Sequence, residues 1–141
     1  RYNQAINICN TLNMPGFHTH LEDETVNNQN FRKVLFTANN TQLVVMSLEP
    51  GQDIGMEIHP DNDQFFRVDQ GEGKAIINDQ EFILQDGDAI IIPAGAEHNI
   101  INTSQEAYLK LYTLYSPPHH PDGTIHPTKA DAIAAEEAEG H

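Results

Sequence analysis

Gly87-Asp88-Ala89-Ile90-Ile91-Ile92-Pro93-Ala94-Gly95-Ala96-Glu97-His98-Asn99-Ile100-Ile101-Asn102 is the stretch on which the fold turns. It holds two β-rich runs, Ala89 to Ile92 and His98 to Asn102, each long enough for a strand and too short for a helix. Pro93-Ala94-Gly95 punctuates them as a turn, and Asp86-Gly87-Asp88 precedes them as another. The same texture repeats outward on both sides. Short β-rich runs cover Phe31 to Thr37, Thr41 to Leu48, Gly55 to His59, Gln64 to Asp69, Gly73 to Asn78, Gln80 to Gln85 and Tyr108 to Tyr115. Asn78-Asp79 stands between two alternating runs as a two-residue hairpin turn. Many short strands separated by such turns predict an all-β sandwich or barrel.

The flanks read differently. Residues 1–30 are Asn-rich without sustained periodicity, which predicts an N-terminal arm with one short strand. Residues 31–116 carry the strands. Residues 117–141 form a segment rich in Pro and His followed by a short helix, capped by Thr128 and running from Lys129 to about Glu139. At 141 residues one domain is expected. Asp and Glu number 21 against 7 Lys and Arg, giving a net charge of −14. That balance excludes nucleic acid and an anionic membrane surface as main partners, since both need clustered cations. No apolar run is long enough to span a bilayer. The single cysteine, Cys9, rules out an internal disulfide and fits a reducing, cytoplasmic setting. The chain opens on Arg1 rather than Met, so sequence upstream of it is expected.

Two spaced constellations carry the chemistry. One runs Gly51, Glu57, His59, Gln64, Gly71; the other Gly87, Pro93, Gly95, His98, Asn102. Residues two apart on a strand share a face, so Glu57 and His59 point together. A four-residue turn brings Gln64 level with them on the next strand, and the Pro-Gly turn delivers His98. Two imidazoles, a carboxylate and an amide oxygen make a coherent ligand set for a first-row divalent metal: Mn, Fe, Co, Ni or Zn. The plainer alternative is that Glu57 and His59 flank a surface turn. An inward Glu and His without a partner would be costly in an apolar β-core, which favours the metal.

These constellations resemble the two motifs of the cupin superfamily. Gly87, Pro93, Gly95, His98 and Asn102 match every position of the second family motif. Gly51, His59 and Gly71 keep the spacing of the first. Glu57 stands where the family's first His is usual, and Gln64 where its Glu is usual. The resemblance implies a double-stranded β-helix (jelly roll). It also implies one divalent metal held by Glu57, His59, Gln64 and His98, with the anionic ligand moved from one position to another. Gly55 to Pro60, Asp63 to Phe66 and Tyr112 to Pro118 are similar, more narrowly, to small one-domain cupins of the mannose-6-phosphate isomerase-like type.

The expected activity is metal-dependent chemistry of the isomerase type on a small sugar-like or hydroxy-carbonyl substrate, with Glu57 as base. The alternatives are an Fe- or Ni-dependent dioxygenase of the cupin type and a non-catalytic cupin that binds a small ligand. Phe66, Lys110 and Tyr112 are the candidate substrate contacts. For Lys110 and Tyr112 that requires the Tyr face of their strand to point inward; strand parity leaves open the opposite arrangement, with Leu109 and Leu111 inside. Arg67 alternates opposite to Gln64 and is expected outside. His119, His120 and His126 read either as a lid over the barrel mouth or as a solvated loop, and His18-Thr19-His20 mimics a two-His ligand pair but lies in the polar lead-in. A homodimer is expected, because small cupins pair through an outer sheet and open sheet edges need cover.

Overall fold

In the computed structural model, which describes residues 14–139, the alternating runs become two antiparallel sheets. The elements are α1 (Leu21–Asn27), β1 (Arg32–Thr37), β2 (Gln42–Leu48), β3 (Asp63–Gln70), β4 (Glu72–Ile77), β5 (Gln80–Gln85), β6 (Ala89–Ile92), β7 (His98–Asn102), β8 (Leu109–Ser116), β9 (Ile125–His126) and α2 (Lys129–Ala138). A six-stranded sheet has the order β6-β3-β8-β2-β1-β9, and a three-stranded sheet the order β5-β4-β7. This is the expected all-β jelly roll with a short C-terminal helix.

Strand alternation fills the space between the sheets. Val44, Met46 and Leu48 of β2, Phe66 and Val68 of β3, and Leu109 and Leu111 of β8 are buried with Ala75, Leu84 and Ile100 of the smaller sheet. Each large apolar side chain buried this way contributes about 1.5–3 kcal/mol. The interior changes character along the strands. Gln64, Tyr115 and Gln42 lie in one register row across β3, β8 and β2, and all three are buried. One end of the barrel is therefore polar inside while the other is a hydrocarbon core.

Local chemistry explains the turns. Asn78 and Asp79 have φ of 47° and 70°, both left-handed, as a two-residue hairpin turn between Ile77 and Gln80 requires. Gly71 has φ of +96°, and a Cβ there would sit 2.6 Å from the Tyr108 carbonyl oxygen. Asn102 bolts the far end of β7. Its Nδ2 lies 3.1, 3.0 and 2.9 Å from the carbonyl oxygens of Leu48, Glu49 and Ala107. Its Oδ1 accepts from the Ser104 N–H at 2.9 Å. Helix α2 starts on a capping box, in which Thr128 and Asp131 satisfy each other's backbone N–H.

Two expectations need correction. The described part of the arm holds a helix, α1, and no strand. Glu22, Asp23 and Glu24 in its first turn suit the helix dipole, and buried Thr25 packs it on the outer face of the large sheet. Gly55 to His59 is not a ladder strand: Glu57 makes only an isolated bridge to His98. Cys9 and residues 1–13 lie outside the described residues.

Candidate metal centre

That isolated bridge sets the site. Glu57 N donates to His98 O at 2.8 Å, and His98 N returns to Glu57 O at 2.9 Å. Gly95 N, from the Pro-Gly turn, holds His59 O at 2.9 Å. One ligand atom from each of Glu57, His59 and His98 lies within 4.8 Å of the other two. His59 Nε2 is 2.8 Å from Glu57 Oε2. His98 Nδ1 lies 2.9 Å from the Ala96 carbonyl, which only accepts, so Nδ1 carries the proton and Nε2 keeps its lone pair. Such second-atom anchoring is the usual support for a metal-binding histidine. His59 and His98 are both buried, while Glu57 keeps about a quarter of its side chain (23%) exposed.

Gln64 stands in the polar row beside the trio. Its Nε2 donates to Thr113 Oγ1 at 3.0 Å, while its buried Oε1 has no hydrogen-bond partner. A buried amide oxygen without a donor is destabilising, and a cation or a bound hydroxyl would satisfy it. The trio's donor set, two imidazoles and a carboxylate, thus fits a divalent ion.

The loop after β8 closes over this end. His119 packs edge-on to His59 with ring centroids 4.4 Å apart, and His120 packs on Tyr115 at 5.0 Å. Gln42 fastens the loop: its Oε1 accepts from the N–H groups of His119 (3.0 Å) and His120 (2.9 Å), and its Nε2 donates to His120 O (2.7 Å). A cavity of about 360 Å³ opens here, lined by Met56, Glu57, Ile58, His59, His119, His120, Glu136 and Glu139.

The electrostatics follow from burial and from one interior cation, Arg32. Burial pushes the Glu57 carboxyl up, but the bond to His59 and the fields of His59, Arg32 and His98 outweigh it, so its pKa falls below the usual value. Burial lowers His98, helped by His59. Burial also drives His120 down to about 2, with Arg32 and the neighbouring histidines adding to it, so that ring is neutral. The Tyr115 phenol is pushed up by complete burial and stays protonated.

The structure brings Glu57, His59 and His98 together, with Gln64 reached through Tyr115. It sends other candidates elsewhere. Phe66 is core. Leu109 and Leu111 face inward, so Lys110 and Tyr112 face out; Lys110 Nζ bonds Asn28 O and Ser47 Oγ, pinning the arm to the sheet. Arg67 is on the outside, as expected, and His20 sits at the surface, paired with Asp23. His119 and His120 reach the cavity wall, and His126 lies against Arg32. Tyr115, Gln42, Arg32 and Glu136 were not singled out by sequence. The signal for Gln42 and Arg32 is parity: each is a polar group two residues from a core position of its own strand, Val44 and Val34.

Comparison with known proteins agrees with this fold. Residues 44–115 match the family described as "Cupin domain". The uncharacterized protein YrkC of Bacillus subtilis is 47% identical over 128 residues, covering 86% of this chain and 68% of YrkC. The crystal structure of BH2720 from Bacillus halodurans superposes with a TM-score of 0.84 at 44% identity, covering 86% of this chain and 96% of that one. A double-stranded beta-helix protein of unknown role from Klebsiella pneumoniae shares the fold at 24% identity, with a TM-score of 0.63 over 80% of this chain and all of that one (100%).

Proposed function

The chain belongs to the Cupin domain family, and on that premise we propose that it binds one divalent metal through Glu57, His59, His98 and Gln64 and acts on a small hydroxy-carbonyl or sugar-like molecule in an isomerase-type reaction. The observation that carries this is the convergence of the carboxylate and two imidazoles within 4.8 Å at the wall of a cavity. When bound, the metal supplies Lewis acidity that polarises a carbonyl and acidifies the adjacent C–H. The Ala96 carbonyl fixes the His98 ring, and packing against His119 and Tyr115 fixes the His59 ring. Glu57, the most exposed member of the trio, takes the proton and returns it. The His119–His120 loop restricts water at the mouth, and Tyr115 keeps its proton as a donor. The isomerase type follows the narrower likeness to mannose-6-phosphate isomerase-like cupins.

A dioxygenase is the second reading, because two histidines and one carboxylate also suit non-haem iron. Metal analysis of protein purified without added metal separates the readings. Stoichiometric Zn or Mn with anaerobic turnover of a hydroxy-carbonyl panel supports the isomerase. Fe or Ni with substrate-dependent oxygen uptake replaces it with the dioxygenase, and binding without turnover with a sensor. Absence of any stoichiometric metal removes all the metal-based activities.

We also propose a homodimer in the cytoplasm. Ile91, Phe65, Leu114, Leu43 and Phe36 lie in register across the outer face of the large sheet, an apolar row suited to a second copy. No helix among the described residues is long and apolar enough to cross a membrane.

A further inference from the structure

Arg32 is the largest fully buried side chain among the described residues, 2% exposed, on β1 opposite the core residue Met46. A guanidinium in that position is expensive unless its charge and its N–H groups are matched. They are matched poorly. Glu136 Oε1, on the terminal helix, is 3.6 Å from Nη1, beyond the 2.7–2.9 Å of a charge-assisted bond. His126 Nδ1 is 3.4 Å from Nη1, at the long limit of a hydrogen bond, and Nε is buried with no partner at all. Glu136 is itself 43% exposed and lines the same cavity as Glu57 and His59. Arg32 is not itself a lining residue of that cavity, and Glu136 reaches both the cavity and the cation.

We infer that Arg32 anchors a carboxylate of the molecule that enters the cavity, and that Glu136 covers this anchor until that carboxylate displaces it. The inference rests on the proposed metal-dependent reading and names its substrate class: a small hydroxy acid or keto acid whose oxygen faces Glu57, His59 and His98 while its carboxylate faces Arg32. A planar carboxylate meets a guanidinium through two parallel N–H···O bonds, which would give the orphaned Nε its acceptor. A single negative charge is the fit. Glu57, Glu136 and Glu139 line the cavity and the chain carries a net −14, so a doubly charged phosphate would meet net repulsion. The alternative role for the pair is structural, a clasp that docks α2 on the barrel, and it makes the opposite prediction for loss of the Glu136 charge.

The probes are glycolate and its neutral isostere glycolamide, titrated into the full chain in metal-free and zinc-loaded forms. Affinity is read by calorimetry, and the Arg32 Nε–H resonance by nitrogen-edited NMR. Glycolate, and not glycolamide, should move the Arg32 Nε–H resonance in both forms. Glu136→Gln, a change at a half-exposed position, should tighten glycolate about fivefold or more by removing the competing carboxylate and leave glycolamide unchanged. Arg32→Met should weaken glycolate about tenfold; Glu136→Gln decides the matter if that variant does not fold. Equal response to the two probes, or glycolate binding that Glu136→Gln leaves unchanged or weakens, overturns the assignment. Zinc content is measured alongside. A protein that takes no zinc refutes the metal site, while the metal-free arms still decide Arg32.

Discussion

Replacing Gln42 by Met is the most searching test of how the polar end is held together. The two side chains are close in volume, so the change adds little strain of its own. It removes four hydrogen bonds from a residue that is 0% exposed: to Thr37 Oγ1 (2.9 Å), to His120 O (2.7 Å), and from the backbone N–H groups of His119 (3.0 Å) and His120 (2.9 Å). At about 1 kcal/mol net per bond the loss is about 4 kcal/mol. Part is recovered if the loop swings out and water takes its amides, which sets the lower bound at about 2 kcal/mol. Urea unfolding of the metal-free protein reads the difference, and an unchanged denaturant slope shows that the native fold is kept. Amide exchange at His119 and His120 should accelerate together. A loss below about 1 kcal/mol, with both amides as protected as before, would refute the view that Gln42 fastens the loop.

At the metal itself, His98→Ala should abolish stoichiometric zinc, whereas Gln64→Ala should weaken it less, because an amide oxygen is the poorest donor of the four; elemental analysis showing the reverse order would sink this ranking. In metal-free protein, half-buried His120 has a folded pKa depressed to about 2, so the unfolded chain binds the extra proton first. The stability this neutral ring represents is complete above pH 6.5 and drains away as pH falls below it, by about 2 kcal/mol at pH 5. Acid titration of His120→Asn should show that loss removed, and an unchanged profile would count against it. Gly71→Ala should lower stability by about 3 kcal/mol, from a left-handed φ plus contact with the Tyr108 carbonyl; a thermal melt within a degree of the parent would contradict this. Sedimentation at micromolar concentration should give a dimer, and a 15.7 kDa species would remove the outer-sheet pairing.

How much of this was legible beforehand follows from which forces are local. The hairpin at Asn78-Asp79, the Pro93-Gly95 turn and the cap at Thr128 are set by a few adjacent residues, and each stands where its residues place it. Glu57, His59 and His98 were legible from their residue types and their spacing around the turns, although Gly55 to His59 is not the strand on which the parity argument relied. Helix α1 was not, because seven residues are too few to be helical alone and tertiary packing holds them. Lys110 was left ambiguous by parity, and its burial under Asn28 depends on the arm, not on its own strand. His119 and His120 sit in a Pro-rich loop without period, so only Gln42, about 78 positions away in sequence, reveals where they go.

Asn102 has a consequence beyond the joint it closes. Its amide nitrogen is shared among three carbonyls and its oxygen is taken by Ser104, so it has no valence left for a ligand. The spaced pattern that ends on Asn102 therefore mixes carpentry with reactivity: Gly87, Pro93, Gly95 and Asn102 shape the frame, and His98 alone among them reaches the chemistry. A chain can lose every donor atom and still be recognised by that frame. The scaffold and the reagent it carries can then be edited separately, which makes this small barrel a tractable host for transplanting other donor sets at positions 57, 59, 64 and 98.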